Sequence, residues 1–200
     1  MKSPVLSVVA LAAVALVACG PSEAEIKAQK EKATADSLAA LAALEKSYTV
    51  DAAASKVAWT GTMLGVKSHN GTVSLTEGSF GVKGGFLTGG KFVVDMKSMA
   101  ALDTNYAKDD AKQGTRSMLI GHLASPDFFA VDSFPTATFE IGAVEGNTAT
   151  GKLTVRGKTS EEKVTDIVIT EENGVAKASG KLSFDRQKYS VKWKAPMKDV

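Results

Sequence analysis

The chain has 200 residues, with 24 basic and 22 acidic side chains, and its single cysteine is Cys19. So even a balance leaves no basic surplus to attract nucleic acid, and one cysteine rules out both a disulfide within the chain and a thiolate metal cluster. After an export signal and a helical stretch, the remaining length suits one domain of roughly 150 residues that must be held by its core alone.

The chain opens on a short positive start, Met1-Lys2, followed by an apolar run from Val5 to Val17. At about a dozen residues this run has the length of a signal core and falls short of the ~20 residues that span a bilayer. Leu16-Val17-Ala18-Cys19 resembles the bacterial lipobox, in which the cysteine is acylated and becomes the new N-terminus. Residues 1–18 are therefore expected to be a lipoprotein signal peptide and Cys19 the lipidation site. An uncleaved membrane helix or an ordinary signal peptide fits less well, given the short run and the position of the cysteine. Several acyl chains on one residue hold a protein durably at a membrane, because each buried methylene contributes ~0.8 kcal/mol. Removing residues 1–18 takes away Lys2 and leaves 23 basic against 22 acidic side chains.

Residues 19–46 are expected to form the acylated cysteine and a helical linker. Ser22 to Lys46 is rich in Ala, Glu and Lys and free of Gly and Pro, and it begins Ser22-Glu23-Ala24-Glu25, which fits a capping box. Ile26 stands alone in the first half, and Leu38, Leu41 and Leu44 make an apolar stripe only near the C-terminal end. A spacer helix is the plain reading; packing of that stripe on a partner or on the domain is the alternative.

From Tyr48 onward the period changes to alternation. Val57–Met63, Phe92–Met96, Thr138–Ile141, Leu153–Arg156, Thr165–Ile169 and Leu182–Asp185 each place an apolar set on one face, as half-buried antiparallel strands do. Gly84-Gly85, Gly146-Asn147 and Asn173-Gly174 are the turn signals between them, the last a strong hairpin dipeptide. Between Thr104 and Val131 the stretch Met118 to Leu123 reads as one short helix with its loop. Many short strands with a single helix argue for an all-β barrel or sandwich.

Catalytic signals are weak. Gly85 to Lys91 has the bare spacing of a phosphate-binding loop, yet Phe92 stands where Ser or Thr should hold magnesium, and a strand follows where the motif needs a helix. His69 and His122 lack a Glu or a second His at ligand spacing, so no metal site or metal cofactor is expected, and each is read as a hydrogen bond fixing a loop. No Gly-x-Ser-x-Gly elbow is present. No catalytic residue is assigned, and the chain is not read as an enzyme.

Several blocks carry a family resemblance: Lys67-Ser68-His69-Asn70-Gly71, Gly89 to Met96, His122-Leu123-Ala124-Ser125-Pro126-Asp127-Phe128-Phe129, Phe134 to Phe139, Gly151 to Gly157, and Asp185-Arg186. In this order they resemble the YceI-like family, over residues 47–200. The resemblance implies a lipocalin-like antiparallel β-barrel whose interior holds a long apolar molecule, a polyisoprenoid, isoprenoid quinone or fatty-acid derivative, in the bacterial envelope. It implies no established reaction and no cofactor. The family's pattern carries a further strand after the segment containing Tyr189 to Trp193, whereas this chain stops at Val200, so either it is truncated at Met197 to Val200 and leaves an open edge or the barrel closes differently. Such an edge invites pairing, including with a second copy to make a dimer.

A barrel of about eight strands has room inside for side chains or for one small ligand. Alternation alone puts Trp59, Phe92, Val94, Met96, Phe139, Ile141, Leu153, Val155, Ile167, Ile169, Leu182 and Phe184 on the candidate pocket face, with small residues such as Gly61 making room. Phe128 and Phe129 are expected to plug the barrel end, and Asp185 and Arg186 to form a structural ion pair, with a head-group contact from Arg186 the weaker option. Ten buried methylenes contribute roughly 8 kcal/mol gross, part of it lost to ordering the ligand, so a tail of that size binds without a charged clamp. The expectation is a membrane-tethered lipid-binding barrel facing the periplasm or the cell surface. The alternatives are a small envelope enzyme on the same barrel, or a filled barrel acting as a structural or interaction module.

Overall fold

The computed structural model describes residues 21–63 and 67–193. Cys19, the signal segment and the stretch 194–200, where a further strand would begin, lie outside the described residues. The chain divides into two compact units between Leu41 and Ala42.

In the first unit, α1 (Glu23–Ala43) starts as the sequence predicts. The Ser22 amide donates to Glu25 Oε2 at 2.7 Å while the Glu25 amide donates back to Ser22 Oγ at 3.3 Å, a reciprocal cap that satisfies two free donors. The surface is polar and solvated, with a Lys32–Asp36 pair at 3.0 Å, and Ile26 and Leu38 are exposed. The helix ends at Ala43, short of the expected Lys46, because Glu45 and Lys46 enter a strand ladder.

Among its described residues, the second unit has eight strands, a helix and one turn of 3-10 helix. In chain order they are β1 (Glu45–Thr49), β2 (Val57–Met63), β3 (Lys67–Lys83), β4 (Phe86–Ala101), α2 (Arg116–Ala124), β5 (Thr136–Glu145), β6 (Thr148–Val155), β7 (Lys158–Glu172) and β8 (Val175–Leu182), then the 3-10 turn Arg186–Tyr189. All pairings are antiparallel, in the order β1-β3-β4-β5-β6-β7-β8. The long β3 carries two partners end to end on one edge: β2 along residues 67–73 and β1 along residues 79–83. The sheet rolls into a nearly closed, lipocalin-like barrel. Counting strand directions makes β1, β2 and β8 run the same way, and among the described residues no ladder joins the two edges of the sheet.

The turns follow the sequence signals. Gly84, Gly85, Gly146, Asn173 and Gly174 all have positive φ, the mirror-turn geometry that hairpins prefer. Arg156-Gly157 makes a further such turn, with φ of 50° and 66°, that alternation did not flag. On the outer face, Lys91, Glu140, Lys152 and Glu161 stand opposite one another in register across four neighbouring strands, an alternating row in which every cross-strand neighbour has the opposite sign.

Two corrections follow from the register. β8 stops at Leu182, so Phe184 is not a strand residue; it is 38% exposed and its ring meets Tyr189 edge-on. Asp185 and Arg186 do not pair. Asp185 Oδ1 caps the 3-10 turn by accepting from the Gln187 amide, and the Arg186 guanidinium donates to the carbonyls of Val191 and Trp193 while lying over the Phe128 ring. The backbone carbonyls of a tight turn are closer to Arg186 than its sequence neighbour.

Candidate ligand-binding site

Alternation sends one face of every strand inward, and the inward residues gather into two clusters. The upper one lies toward the hairpin tips and is built on buried Phe80, Val82, Leu87 and Ala149, with Tyr48, Val50, Phe92, Ile141, Val144, Ile167, Ile169 and Ala176 packed around them. The lower one is built on Met96, Val131, Ala137, Leu153, Val155 and Tyr189, with Val94, Met99, Ala124, Phe129, Phe139 and Leu182 around it.

Ten of the twelve pocket candidates fall in these clusters. Phe92, Ile141, Ile167 and Ile169 are in the upper one, and Val94, Met96, Phe139, Leu153, Val155 and Leu182 in the lower one. Trp59 and Phe184 are in neither. Trp59 is half-buried on β2, its indole N–H donating to the Thr72 carbonyl at 3.2 Å. The aromatic rings are accommodated by cross-strand glycines, which sequence reasoning placed wrongly. Nothing approaches Gly61, whereas an added Cβ at Gly71 would meet the Trp59 ring at 2.5 Å, at Gly78 the Phe92 ring at 3.2 Å, and at Gly151 the Phe139 ring at 2.8 Å. Aromatic rings laid over bare strand backbone recover packing that glycine cannot supply.

At the upper end a groove of about 300 Å³ is lined by Gly85, Phe86, Leu87, Gly146, Asn147, Ile167, Val168 and Ile169. Its far wall exists because of a bulge in β7. Asp166 takes a φ of 53°, the β7–β8 register shifts between Thr165 and Val168, and the Ile167 amide donates to the Asn147 carbonyl at 2.9 Å instead of to β8. Beside it a smaller hollow of about 110 Å³ is lined by Leu44, Lys46, Val82, Gly84, Gly85 and Glu171. Glu171 Oε1 accepts from Lys46 Nζ at 3.0 Å and from the Tyr48 hydroxyl, joining β7 to β1 across the seam. Those donors, Tyr48 first, hold the Glu171 carboxyl below its ordinary range, and the same bonds raise Tyr48 and Lys46.

The lower end is densely packed among the described residues. Tyr189 and Val191 have no exposed surface, and the Tyr189 hydroxyl donates to Glu162 Oε1 at 3.0 Å, the atom that Lys188 Nζ also reaches at 3.0 Å. Burial, then the bond to Glu162, pushes Tyr189 far above the usual phenol range. Arg156 donates to the carbonyls of Ser190 and Pro126, clamping the 3-10 turn to the segment after α2. Phe129 packs against the lower cluster, in keeping with a plug, and its ring meets Phe128 edge-on.

The two histidines differ. His69 Nδ1 lies 2.9 Å from Asp103 Oδ2, and Asp103 Oδ1 accepts from the Tyr106 hydroxyl at 2.8 Å and from the Asn70 amide at 3.1 Å. Burial pushes Asp103 upward, but the bonds from His69, Tyr106 and Asn70 outweigh it and hold the carboxyl at about 2; Tyr106 is pushed up to about 12 by burial and by Asp103. An ionised carboxylate only accepts, so the proton of this pair sits on His69 Nδ1. This is the loop-fixing bond expected for His69. His122 departs from that reading: its Nε2 is buried without a hydrogen-bond partner, and its ring meets Phe128 and Trp193 edge-on. Among the described residues no group of three or more His, Cys, Asp or Glu is placed to hold a metal ion.

Residues 48–200 match the model of the YceI-like domain. A 56-residue stretch is 46% identical to the UPF0312 protein SAB2563 of Staphylococcus aureus strain bovine RF122 / ET3-1, covering 28% of this chain and 30% of that protein. The UPF0312 protein SAV2687 of Staphylococcus aureus strain Mu50 matches to the same extent, so the chain spans about a third of the length of these relatives. Among solved structures, BcnA of Burkholderia cenocepacia superposes with a TM-score of 0.53 at 23% identity, over 71% of this chain and 84% of that one, which is a likeness of fold.

Proposed function

Because the chain belongs to the YceI-like domain family, a barrel family consistent with binding a hydrophobic ligand, we propose that it is a lipid-anchored envelope protein that carries or stores one long apolar molecule, a polyisoprenoid, isoprenoid quinone or fatty-acid derivative. The observation that carries this reading is the apolar groove of about 300 Å³ at the upper end of the barrel, which runs onto Leu87, Ile167 and Ile169 of the upper cluster. Concave, mostly apolar openings with few polar groups suit ligands recognised by burial and not by charge. Phe92, Ile141, Ile167 and Ile169 are the ligand contacts nearest the opening, and the lower set from Met96 to Leu182 is the floor that a longer tail would reach. The Glu162 and Asp103 carboxylates are occupied by neighbouring side chains, which favours binding over chemistry on the same barrel.

Cys19 supplies the anchor in this reading, after removal of residues 1–18, with α1 as spacer. At ~1.5 Å per residue such a helix reaches a few tens of ångströms. The domain then works in the periplasm or at the cell surface, alone or as a dimer paired along its free strand edges.

Native mass spectrometry of the chain from Cys19 onward, followed by organic extraction, tests the proposal. Extra mass that extracts as a long-chain lipid is the expected result and names the ligand class. A folded, empty chain that also refuses isoprenoids and fatty acids overturns it.

A further inference from the structure

Apolar surface at the upper end is not confined to the groove. Leu44, Phe86, Val168 and Val175 are 60%, 64%, 57% and 60% exposed. Phe86 and Val168 line the groove, Leu44 lines the adjoining hollow through the shared Gly85, and Val175 follows the Asn173-Gly174 turn at the same end. Among the charges interspersed there, Lys46 is bound to Glu171 and Glu45 faces Lys83 in register, while Glu145 and Glu172 stand exposed beside the hairpin turns. Leu44 immediately precedes β1, so the polypeptide enters the barrel at this end. The lower end also exposes Leu102 and Met118, with Tyr189 and Val191 fully buried at that end.

We infer that the rim formed by Leu44, Phe86, Val168 and Val175 is a docking surface for a lipid bilayer. It seats the mouth of the barrel on the acyl region so that ligand passes between membrane and groove without crossing water. The inference rests on the carrier reading above and names the surface with which that carrier exchanges. The chemistry selects a bilayer because the rim is apolar around an opening that is itself apolar, and because the polypeptide that leads from the anchor proposed at Cys19 enters the barrel at this end. A ligand leaving through water exposes its whole tail, whereas a docked rim keeps that surface covered throughout. Attraction of this kind needs no anionic lipid and is little screened by salt.

The test uses the chain from Cys19 onward with Cys19→Ser, which leaves every described residue in place and removes the acyl anchor. Uptake of a pyrene-labelled long-chain fatty acid is followed from phosphatidylcholine vesicles and, separately, from cyclodextrin. The expected rate from vesicles rises with vesicle concentration and is insensitive to salt. Leu44→Ser with Val175→Ser, both outside the groove, slows vesicle uptake at least about tenfold, equivalent to ~1.4 kcal/mol, and leaves cyclodextrin loading unchanged, which reports an intact fold. Phe86→Ser has the same effect on the vesicle rate, and Leu102→Ser at the lower end has none. An unchanged vesicle rate in the rim variants, or equal slowing by Leu102→Ser, overturns the inference and leaves the carrier reading standing. A wild-type chain that takes up the probe from neither source overturns both.

Discussion

Lys46 of β1 and Glu171 of β7 meet at 3.0 Å although 125 positions separate them in sequence, and the Tyr48 hydroxyl shares the same carboxylate oxygen. No ladder joins the two ends of the sheet among the described residues, so this side-chain clasp spans the seam. Because Glu171 is lowered on folding, its contribution is present above the unfolded carboxylate value of about 4.3 and is lost as pH falls through the lower folded value. Lys46 and Tyr48 are raised, so theirs is present at neutral pH and lost as pH rises through their folded values. Thermal melts of Glu171→Gln are expected to show a lower Tm than wild type at pH 7, with the difference narrowing as pH falls below the unfolded carboxylate value of about 4.3. A constant difference across that range contradicts the clasp.

Asp103 couples β3 to the loop before α2. With its carboxyl held at about 2, its stabilisation is full above the unfolded value of about 3.9 and fades only as pH drops toward 2. Asp103→Asn removes this dependence. Asp103→Ala, which removes the acceptor altogether, frees the His69 imidazole, so the ¹⁵N spectrum of wild type shows a single Nδ1–H tautomer when neutral, and that of Asp103→Ala a mixture.

Tyr189 is fully buried, with Glu162 as its partner. Tyr189→Phe takes one donor from a buried carboxylate and is expected to cost about 1–3 kcal/mol in urea denaturation. Tyr189→Ala also opens a cavity in the lower cluster and is expected to cost about 3–5 kcal/mol. Equal effects of the two substitutions would assign the whole role to the hydroxyl.

Gly151 is inward-facing on β6, and a Cβ there would sit 2.3 Å from the Glu140 carbonyl oxygen and 2.8 Å from the Phe139 ring. Backbone cannot step aside as a flexible side chain does, so Gly151→Ala is expected to destabilise by about 1–3 kcal/mol. Gly61→Ala, with open space around it, is expected to change stability little; chemical denaturation of the pair checks both.

Local chemistry was enough to find most strands, the hairpin turns at Gly84-Gly85, Gly146-Asn147 and Asn173-Gly174, the helix at Met118–Leu123 and the cap at Ser22–Glu25. Each of these signals lies within a few residues, in a period of two or in a backbone that needs positive φ. The same period put ten of twelve pocket candidates into the two clusters, and ordered blocks from His69 to Arg186 were enough for the family. Only tertiary structure decided which glycines face the aromatic rings, because that depends on register between strands that are distant in sequence: Gly71 with Trp59, Gly78 with Phe92, Gly151 beside Phe139. It alone turned Arg186 away from Asp185, drew Glu45 and Lys46 out of the helix into β1, brought Tyr189 to Glu162, and bent β7 at Asp166 to shape the groove. Apart from the local turn that takes up Arg186, those outcomes are set by pairings across tens of residues, where the free energy lies in which surfaces meet and not in the preferences of any one segment.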